Sequence, residues 1–367
     1  MADTKIEWAD KTWNPVTGCS PISEGCKNCF AKRMASRLQG RCGYPKDNPF
    51  LVVKHDDVFM LPIKWRKPSR IFVCSMGDLF HDAVEERWID AVFAAMGSTY
   101  DTSCVDENNV ATGYKQRHVY MVLTKRPERM RDYILELLKL DWESLRKRFY
   151  HIAMGMCDII RGPLYAHMNA SMIVATWIKQ GMPGLWLGVT AENQARADER
   201  IPILLQTPAA VRFVSIEPML GEIDLTRINI GPVASYNTLA GEILEPGSVT
   251  SGHGVNKLDW AICGGETGTG ARPMHPDWVR SLRDQCQAAG TPFFFKSWGD
   301  WSPFYDRDID DPDWRKIPEE SKTVCRLNLA GGQGFHGDRV VYFKKVGKKK
   351  AGRLLDGQEW DQYPGVM

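Results

Sequence analysis

The sequence predicts an α/β fold in which parallel strands curl into a full or partial barrel, and three observations lead there. Short, near-continuous apolar runs recur along the chain, most are followed by a helix-length amphipathic stretch, and nearly every run ends in polar residues. Near-continuous apolar runs fit strands covered on both faces, as in parallel sheets. Strand–helix alternation calls for crossover connections between parallel neighbours. Polar clusters at the C-terminal ends of six strands favour a barrel, where such ends meet at one mouth, over an open sheet with a single switch point.

Taken in order, a strand is expected over 71–74, ending in Ser75, Met76, Gly77 and Asp78, with a helix over 84–96. A strand over 119–123 runs into Thr124, Lys125 and Arg126, then a helix over 127–138. A strand over 185–189 meets Thr190, Ala191, Glu192 and Asn193, and a helix over 193–205 follows. The run 211–216 ends in Glu217-Pro218, and 260–263 ends in Gly264, Gly265 and Glu266. The helix expected over Pro276–Ala289 has Pro in its first turn and Gly290 just past its end, the usual asymmetry of helix termini. The last run, 292–295, meets Lys296, Ser297 and Trp298. Insertions are expected over 98–117, over 140–183 with helices of its own, and over 229–257 as a Gly/Pro/Ser/Thr-rich surface loop. After Trp301 come an acidic turn-rich link, a strand over 340–343 and the basic run 344–350. The expected division is a barrel of residues 1–300 and a C-terminal extension, 301–367, packed on it.

The chain has 367 residues, 43% of them hydrophobic, with 47 Lys+Arg against 45 Asp+Glu. This composition excludes a disordered, collagenous or small disulfide-framed protein. A net charge of +2 supplies no whole-molecule attraction to nucleic acid, so any such grip must be local. No apolar run nears the ~20 residues that span a bilayer, and the first residues lack the apolar region of a secretory signal, so the expectation is a cytoplasmic protein with no membrane association. In that reducing compartment the ten Cys are not disulfides. Cys42, Cys74, Cys104, Cys157, Cys263, Cys286 and Cys325 are scattered and read as small buried hydrophobes.

Cys19, Cys26 and Cys29 differ. Gly, Pro and Ser between the first two mark a loop; from Cys26 onward Phe30, Met34 and Leu38 recur at helical spacing, with Lys32, Arg33 and Arg37 off that stripe. Helix N-termini and nearby cations depress thiol pKa values and favour the thiolates that a metal binds. A structural zinc site needs a fourth ligand, and the nearest following His, His55 and His81, complete no finger spacing. A [4Fe–4S] cluster on three Cys leaves one iron open to a small molecule. Cluster, zinc and reactive thiols all stay open at this point, the cluster best matching three ligands.

The chain also resembles the bacteriophage-associated three-Cys-motif family of radical-SAM-like proteins, a family of unknown function. The resemblance rests on Trp13-Asn14-Pro15-Val16-Thr17-Gly18-Cys19, Cys26-Lys27-Asn28-Cys29, Ser75-Met76-Gly77-Asp78-Leu79-Phe80-His81 and Leu123-Thr124-Lys125-Arg126-Pro127. Leu187-Gly188-Val189-Thr190-Ala191-Glu192-Asn193, Ser215-Ile216-Glu217-Pro218, Gly264-Gly265-Glu266-Thr267-Gly268 and Phe295-Lys296-Ser297-Trp298-Gly299 extend it over most of the chain. It implies a partial, TIM-like (β/α) barrel with a [4Fe–4S] cluster on Cys19, Cys26 and Cys29 above its mouth. It also implies S-adenosylmethionine on the open iron, cleaved by one electron to methionine and a 5′-deoxyadenosyl radical. An electron donor such as a flavodoxin or ferredoxin is the implied partner. Two departures stand out: six residues separate Cys19 from Cys26 where three are usual, and Asn28 stands where an aromatic residue usually precedes the third Cys.

On that reading Ser75, Asp78 and Glu217 are candidates for the methionine ammonium or the ribose. Gly264, Gly265 and Glu266 resemble the Gly-Gly-Glu segment that contacts the methionyl amino group, against the plainer reading of a tight turn. Lys125, Arg126 and Lys296 are candidates for a carboxylate or phosphate, against ion pairs with Glu192, Glu217 or Glu266 at the same rim. The glycines after 263 form neither a P-loop nor a dinucleotide fingerprint and are better explained by close backbone approach. Trp8, Trp13, Trp298, Trp301, Trp314 and Trp360 are candidates for stacking bases, with core packing as the alternative. The expected substrate is a nucleic acid or nucleotide; the alternative is a non-catalytic Fe–S or zinc protein that binds nucleic acid or a protein partner.

Overall fold

The structure, a computed structural model, describes residues 4–105, 111–160, 165–232, 234–245, 248–250, 256–307, 319–334 and 339–365. Seven strands form the main sheet: β1 (Lys11–Trp13), β2 (Arg70–Val73), β3 (Val119–Thr124), β4 (Leu185–Thr190), β5 (Val211–Ile216), β6 (Trp260–Gly264) and β7 (Phe293–Ser297). Every pairing is parallel, and the spatial order is the chain order, so the sheet has no switch point and curls into a half-barrel. Six strands fall where the apolar runs predicted them. β1 escaped because Lys-Thr-Trp is too short and polar to show a period, although Trp13 is buried.

The helices also follow the pattern: α1 (Phe30–Leu38), α2 (Glu86–Gly97), α3 (Pro127–Lys139), α4 (Trp142–Ile160), α5 (Tyr165–Lys179), α6 (Gln194–Leu205) and α7 (Pro276–Ala289). α4 and α5 are the helices expected within 140–183. The 98–117 insertion is an antiparallel pair, Tyr100–Val105 with Ala111–Gln116. The expected loop excursion over 229–257 instead carries a small antiparallel sheet of Ile228–Asn229, Ser235–Asn237, Glu242–Glu245 and Ser248–Thr250. Past the barrel, β8 (Trp301–Asp306), β9 (Val324–Asn328) and β10 (Val340–Lys345) form a three-stranded antiparallel sheet with β10 in the middle.

Alternation along the strands sorts side chains between two cores. On β3, Tyr120 and Val122 join the large core under the helices, with Ile89, Phe93, Ile134 and Leu204, while Met121 and the half-buried Leu123 face the barrel interior. That interior is filled near the N-terminal ends of the strands by Trp8, Trp186, Phe213, Trp260 and Phe294. Trp186 meets Trp260 edge-on with ring centroids 5.8 Å apart, and Tyr363 from the C-terminal tail closes on Trp260 at 5.3 Å. Trp8 is therefore part of a plug, and Trp13, Trp298 and Trp301 are buried too. The base-stacking expectation fails for these four because packing and indole hydrogen bonds occupy them: Trp298 donates to the Leu354 carbonyl and Trp301 to that of Ala271. Trp360 is half-buried against the core, and Trp314 lies outside the described residues.

Among the scattered thiols, Cys74, Cys263 and Cys286 are buried as expected. Cys42 is exposed, since it sits in the tight turn after α1 with a positive φ, and Cys325 is intermediate. The side chains of Cys104 and Cys157 lie outside the described residues. No helix among the described residues is long and apolar enough to cross a membrane.

Candidate functional site

Above the aromatic plug, at the C-terminal ends of the strands, lies a cavity of about 260 Å³. Its wall includes Cys19, Cys26 and Cys29 together with Ser75, Asp78, Lys125, Glu217, Gly265 and Glu266. The three thiols arrive on one loop. Cys19 follows Gly18, which pairs with Gly77 at the end of β2. Cys26 ends a single 3-10 turn, Glu24–Cys26, and Cys29 is the residue before α1. The helix thus begins at Phe30 rather than Cys26, because Asn28 is drawn away to contacts across the mouth.

Those contacts show what the polar strand ends do. From β3, Arg126 donates to the Cys19 thiol at 3.5 Å and to the Ser20 carbonyl at 3.2 Å. Asp78 holds Arg126 at 3.1 Å and also accepts from Thr124 at 2.7 Å and from two backbone amides, so chain donors engage its carboxylate. From β4, the fully buried Glu192 accepts from Ser23 at 2.6 Å and pairs with Lys125 at 2.8 Å and Arg200 at 3.0 Å. Gly25 packs directly on Glu192; a Cβ there would stand 2.3 Å from the carboxylate, so the loop approaches this closely only as glycine. From β6, Glu266 accepts from Asn28 at 2.9 Å and from the Arg272 guanidinium at 2.6 and 2.9 Å. Asn28 further donates to the Gly270 carbonyl at 2.7 Å.

The predicted residues accordingly divide. Ser75 donates to Asn14 at 3.1 Å. Lys296 pairs with Glu217 at 2.5 Å, so the ion pairs considered for Lys125 and Lys296 do form, with Glu192 and Glu217 as partners. Gly264 and Gly265 fit the close-approach reading: a Cβ on Gly265 would lie 2.1 Å from the Trp298 carbonyl oxygen. Glu192, Asn28, Arg272 and Arg196, which donates to the Glu24 carboxylate of the loop at 3.2 Å, were missed as loop-holding residues. For Glu192 the signal was its place directly after an apolar run, where the sequence also offered it as an ion-pair partner.

The electrostatics differ among the thiols. Burial and the Asp78 carboxylate push Cys19 up to about 11 against the pull of Arg126. Burial also opposes ionisation of Cys26, but the Ile22 backbone, Lys125 and the Ser23 hydroxyl outweigh it and hold its pKa below the ordinary thiol value. A fourth thiol, Cys74 at the end of β2, also reaches the cavity wall; it is 3% exposed, and burial pushes it up to about 12. His55 and His81 are held by the hydroxyls of Thr17 and Ser20 at 2.7 and 2.8 Å, and neither lines the cavity. Among the described residues no three His, Cys, Asp or Glu side chains converge as the ligands of a single ion do.

A family described as "Protein of unknown function (DUF5131)" matches residues 3–364. No curated protein matches. Of solved structures, the chain is similar to a cysteine-to-serine mutant of spore photoproduct lyase, at 9% identity and a TM-score of 0.37, covering 96% of this chain and 72% of that one. It is also similar to a second mutant of that lyase with bound AdoMet and dinucleoside spore photoproduct, at 8% identity and a TM-score of 0.35, covering 91% and 68%.

Proposed function

This chain belongs to the DUF5131 family, and from the thiol-lined mouth of its half-barrel we propose that it is a [4Fe–4S] enzyme of the radical S-adenosylmethionine type. The observation that carries the reading is a single cavity at the C-terminal strand ends with Cys19, Cys26 and Cys29 on its wall. On this reading the three loop thiolates hold the cluster and the buried Cys74 stays a protonated thiol behind it. Such a cluster, with one iron free of protein ligands, supplies one-electron reductive cleavage of S-adenosylmethionine.

The chain's own share is orientation and exclusion of water. Arg126 stabilises negative charge on Cys19, and Asp78 fixes the angle at which it does so. Glu192 and Glu266 hold the loop from opposite sides and keep their charge toward Ser23 and Asn28. On this reading Gly265 on the wall, Gly264 beside it, and Ser75 and Glu217, held by Asn14 and Lys296, meet the sulfonium cofactor. Residues 301–367 belong to this reading as an extension that closes the barrel flank, and the phage association and a dedicated reductase partner belong to it as well.

The test is turnover. Anaerobically reconstituted protein with dithionite and S-adenosylmethionine is expected to release 5′-deoxyadenosine. A fully loaded cluster that releases none overturns the enzyme reading, and zinc without iron in metal analysis overturns the cluster itself.

A further inference from the structure

We propose that the flank of α1 carrying Phe30, Arg33 and Arg37, with Lys27 and Arg41 at its ends, binds single-stranded nucleic acid and leads an unpaired base to the thiol-lined cavity. The delivery to the cavity rests on the function proposed above; the binding does not.

Between Cys26 and Lys46 the chain carries Lys27, Lys32, Arg33, Arg37, Arg41 and Lys46 and no acidic residue. At the mouth itself cations are spent on carboxylates: Arg126 on Asp78, Arg196 on Glu24, Arg200 on Glu192, Arg272 on Glu266. The six on and around α1 form no ion pair among the described residues. α1 packs inward through Ala31, Met34, Ala35 and Leu38. Phe30, Arg33 and Arg37, three and four residues apart, therefore share one outer flank. Arg41 donates to the Arg37 carbonyl, which continues the row beyond the helix end.

The row ends at the cavity. Phe30 is 56% exposed, an unusual place for a phenyl ring, and it lines the cavity mouth. Arg33 lies against the backbone of Gly268 on the opposite rim, and its Nη1 is buried without a hydrogen-bond partner. That buried donor faces Gly268 and not solvent; the groups set to meet a strand are the exposed Arg37 and Arg41 beside the half-buried Arg33, and the fork geometry of Arg suits phosphate. Charge alone would also attract an acidic protein. The exposed ring in line with the guanidinium groups favours a strand with unstacked bases, because stacking on an aromatic face beside cations is how single strands are held.

The experiment is fluorescence anisotropy of a labelled 12-nucleotide single strand, and of a duplex of the same length, on the reconstituted full chain across a salt series. The single strand is expected to bind more tightly than the duplex and to weaken as salt rises. Arg33→Gln/Arg37→Gln/Arg41→Gln should weaken binding at least tenfold and flatten the salt slope by about 2, as loss of three phosphate contacts requires. Phe30→Ala should weaken it roughly tenfold with the slope unchanged. Lys349→Gln/Lys350→Gln, a basic pair elsewhere on the surface, should change neither. Equal binding by the α1 variants overturns the proposal, as does competition by polyglutamate matching that of unlabelled oligonucleotide, which would assign the flank to an acidic protein. Melting temperatures of the variants separate lost binding from lost fold. Binding is read without turnover: a chain that holds strands yet releases no 5′-deoxyadenosine keeps the strand binding and loses the delivery, and one that cleaves the cofactor yet ignores strands rejects this inference alone.

Discussion

The two ends of the barrel interior are both buried, yet one is filled with rings and the other with charge. At the N-terminal strand ends Trp8, Trp186, Phe213, Trp260 and Phe294 fill the space by shape, and the energy is non-directional apolar burial. At the C-terminal ends Glu192 and Glu266 each engage a cation and a loop group, and Asp78 holds the Arg126 that reaches Cys19, so every bond there fixes a direction. The first arrangement gives stability that tolerates small shifts; the second fixes a loop in one place.

The sharpest way to break this contrast is at the sulfurs. Cys26→Ala is expected to abolish the brown colour and the ~400 nm absorbance of a three-thiolate cluster, whereas Cys74→Ala and Cys286→Ala should retain both. Loss of colour in Cys74→Ala would mean that the protein holds the fourth corner itself. Next in size, Trp260→Ala should cost roughly 3–5 kcal/mol in urea unfolding, because the plug has no other group to fill the void, while the thiols keep their reactivity. Glu192→Gln should act the other way. It leaves Lys125 and Arg200 without their anion and costs roughly 2 kcal/mol, and alkylation of Cys26 in the cluster-free chain should quicken several-fold as the loop loosens.

The smallest effect belongs to the rim of the plug. Asp10 is buried enough for desolvation to raise its pKa, but hydrogen bonds and charge from Arg70 outweigh this and hold it below the ordinary value of 3.8. A depressed carboxylate stabilises the fold above its unfolded pKa and loses that contribution as pH falls through the folded one. Asp10→Asn should therefore cost about 0.5 kcal/mol at pH 7, as befits a half-exposed pair. The difference from wild type should fade only below about pH 4 in the same urea measurement.

Much of this was legible before any coordinates. Six of seven barrel strands and α2, α3, α6 and α7 follow from apolar periodicity, because each is a local pattern long enough to show its period. The three loop thiols were legible as a group from their spacing. The use of the strand-end charges was not. Asn28 meets Glu266 and Gly270 across 238 and 242 residues of chain, and Glu192 meets Ser23 across 169. Nothing local distinguishes a rim carboxylate that will hold a loop from one that will hold a ligand. The same distance hid the fate of Trp8, a stacking candidate with core packing as its alternative, which is enclosed by strands far along the sequence.

The thiol-bearing segment is fastened to the tips of β2, β3, β4 and β6 at once, while the sheet itself stays open: β1 ends it on one side, and on the other β7 is bordered by the C-terminal tail, where Phe295 donates to the Trp360 carbonyl and Gln362 to that of Phe293. Like a cord threaded through the rim of an open purse, it registers the curvature of the whole. Flattening the sheet would draw the sulfurs apart and tightening it would crowd them, so whatever acts on the barrel's outer strands also acts on the thiol-lined cavity inside.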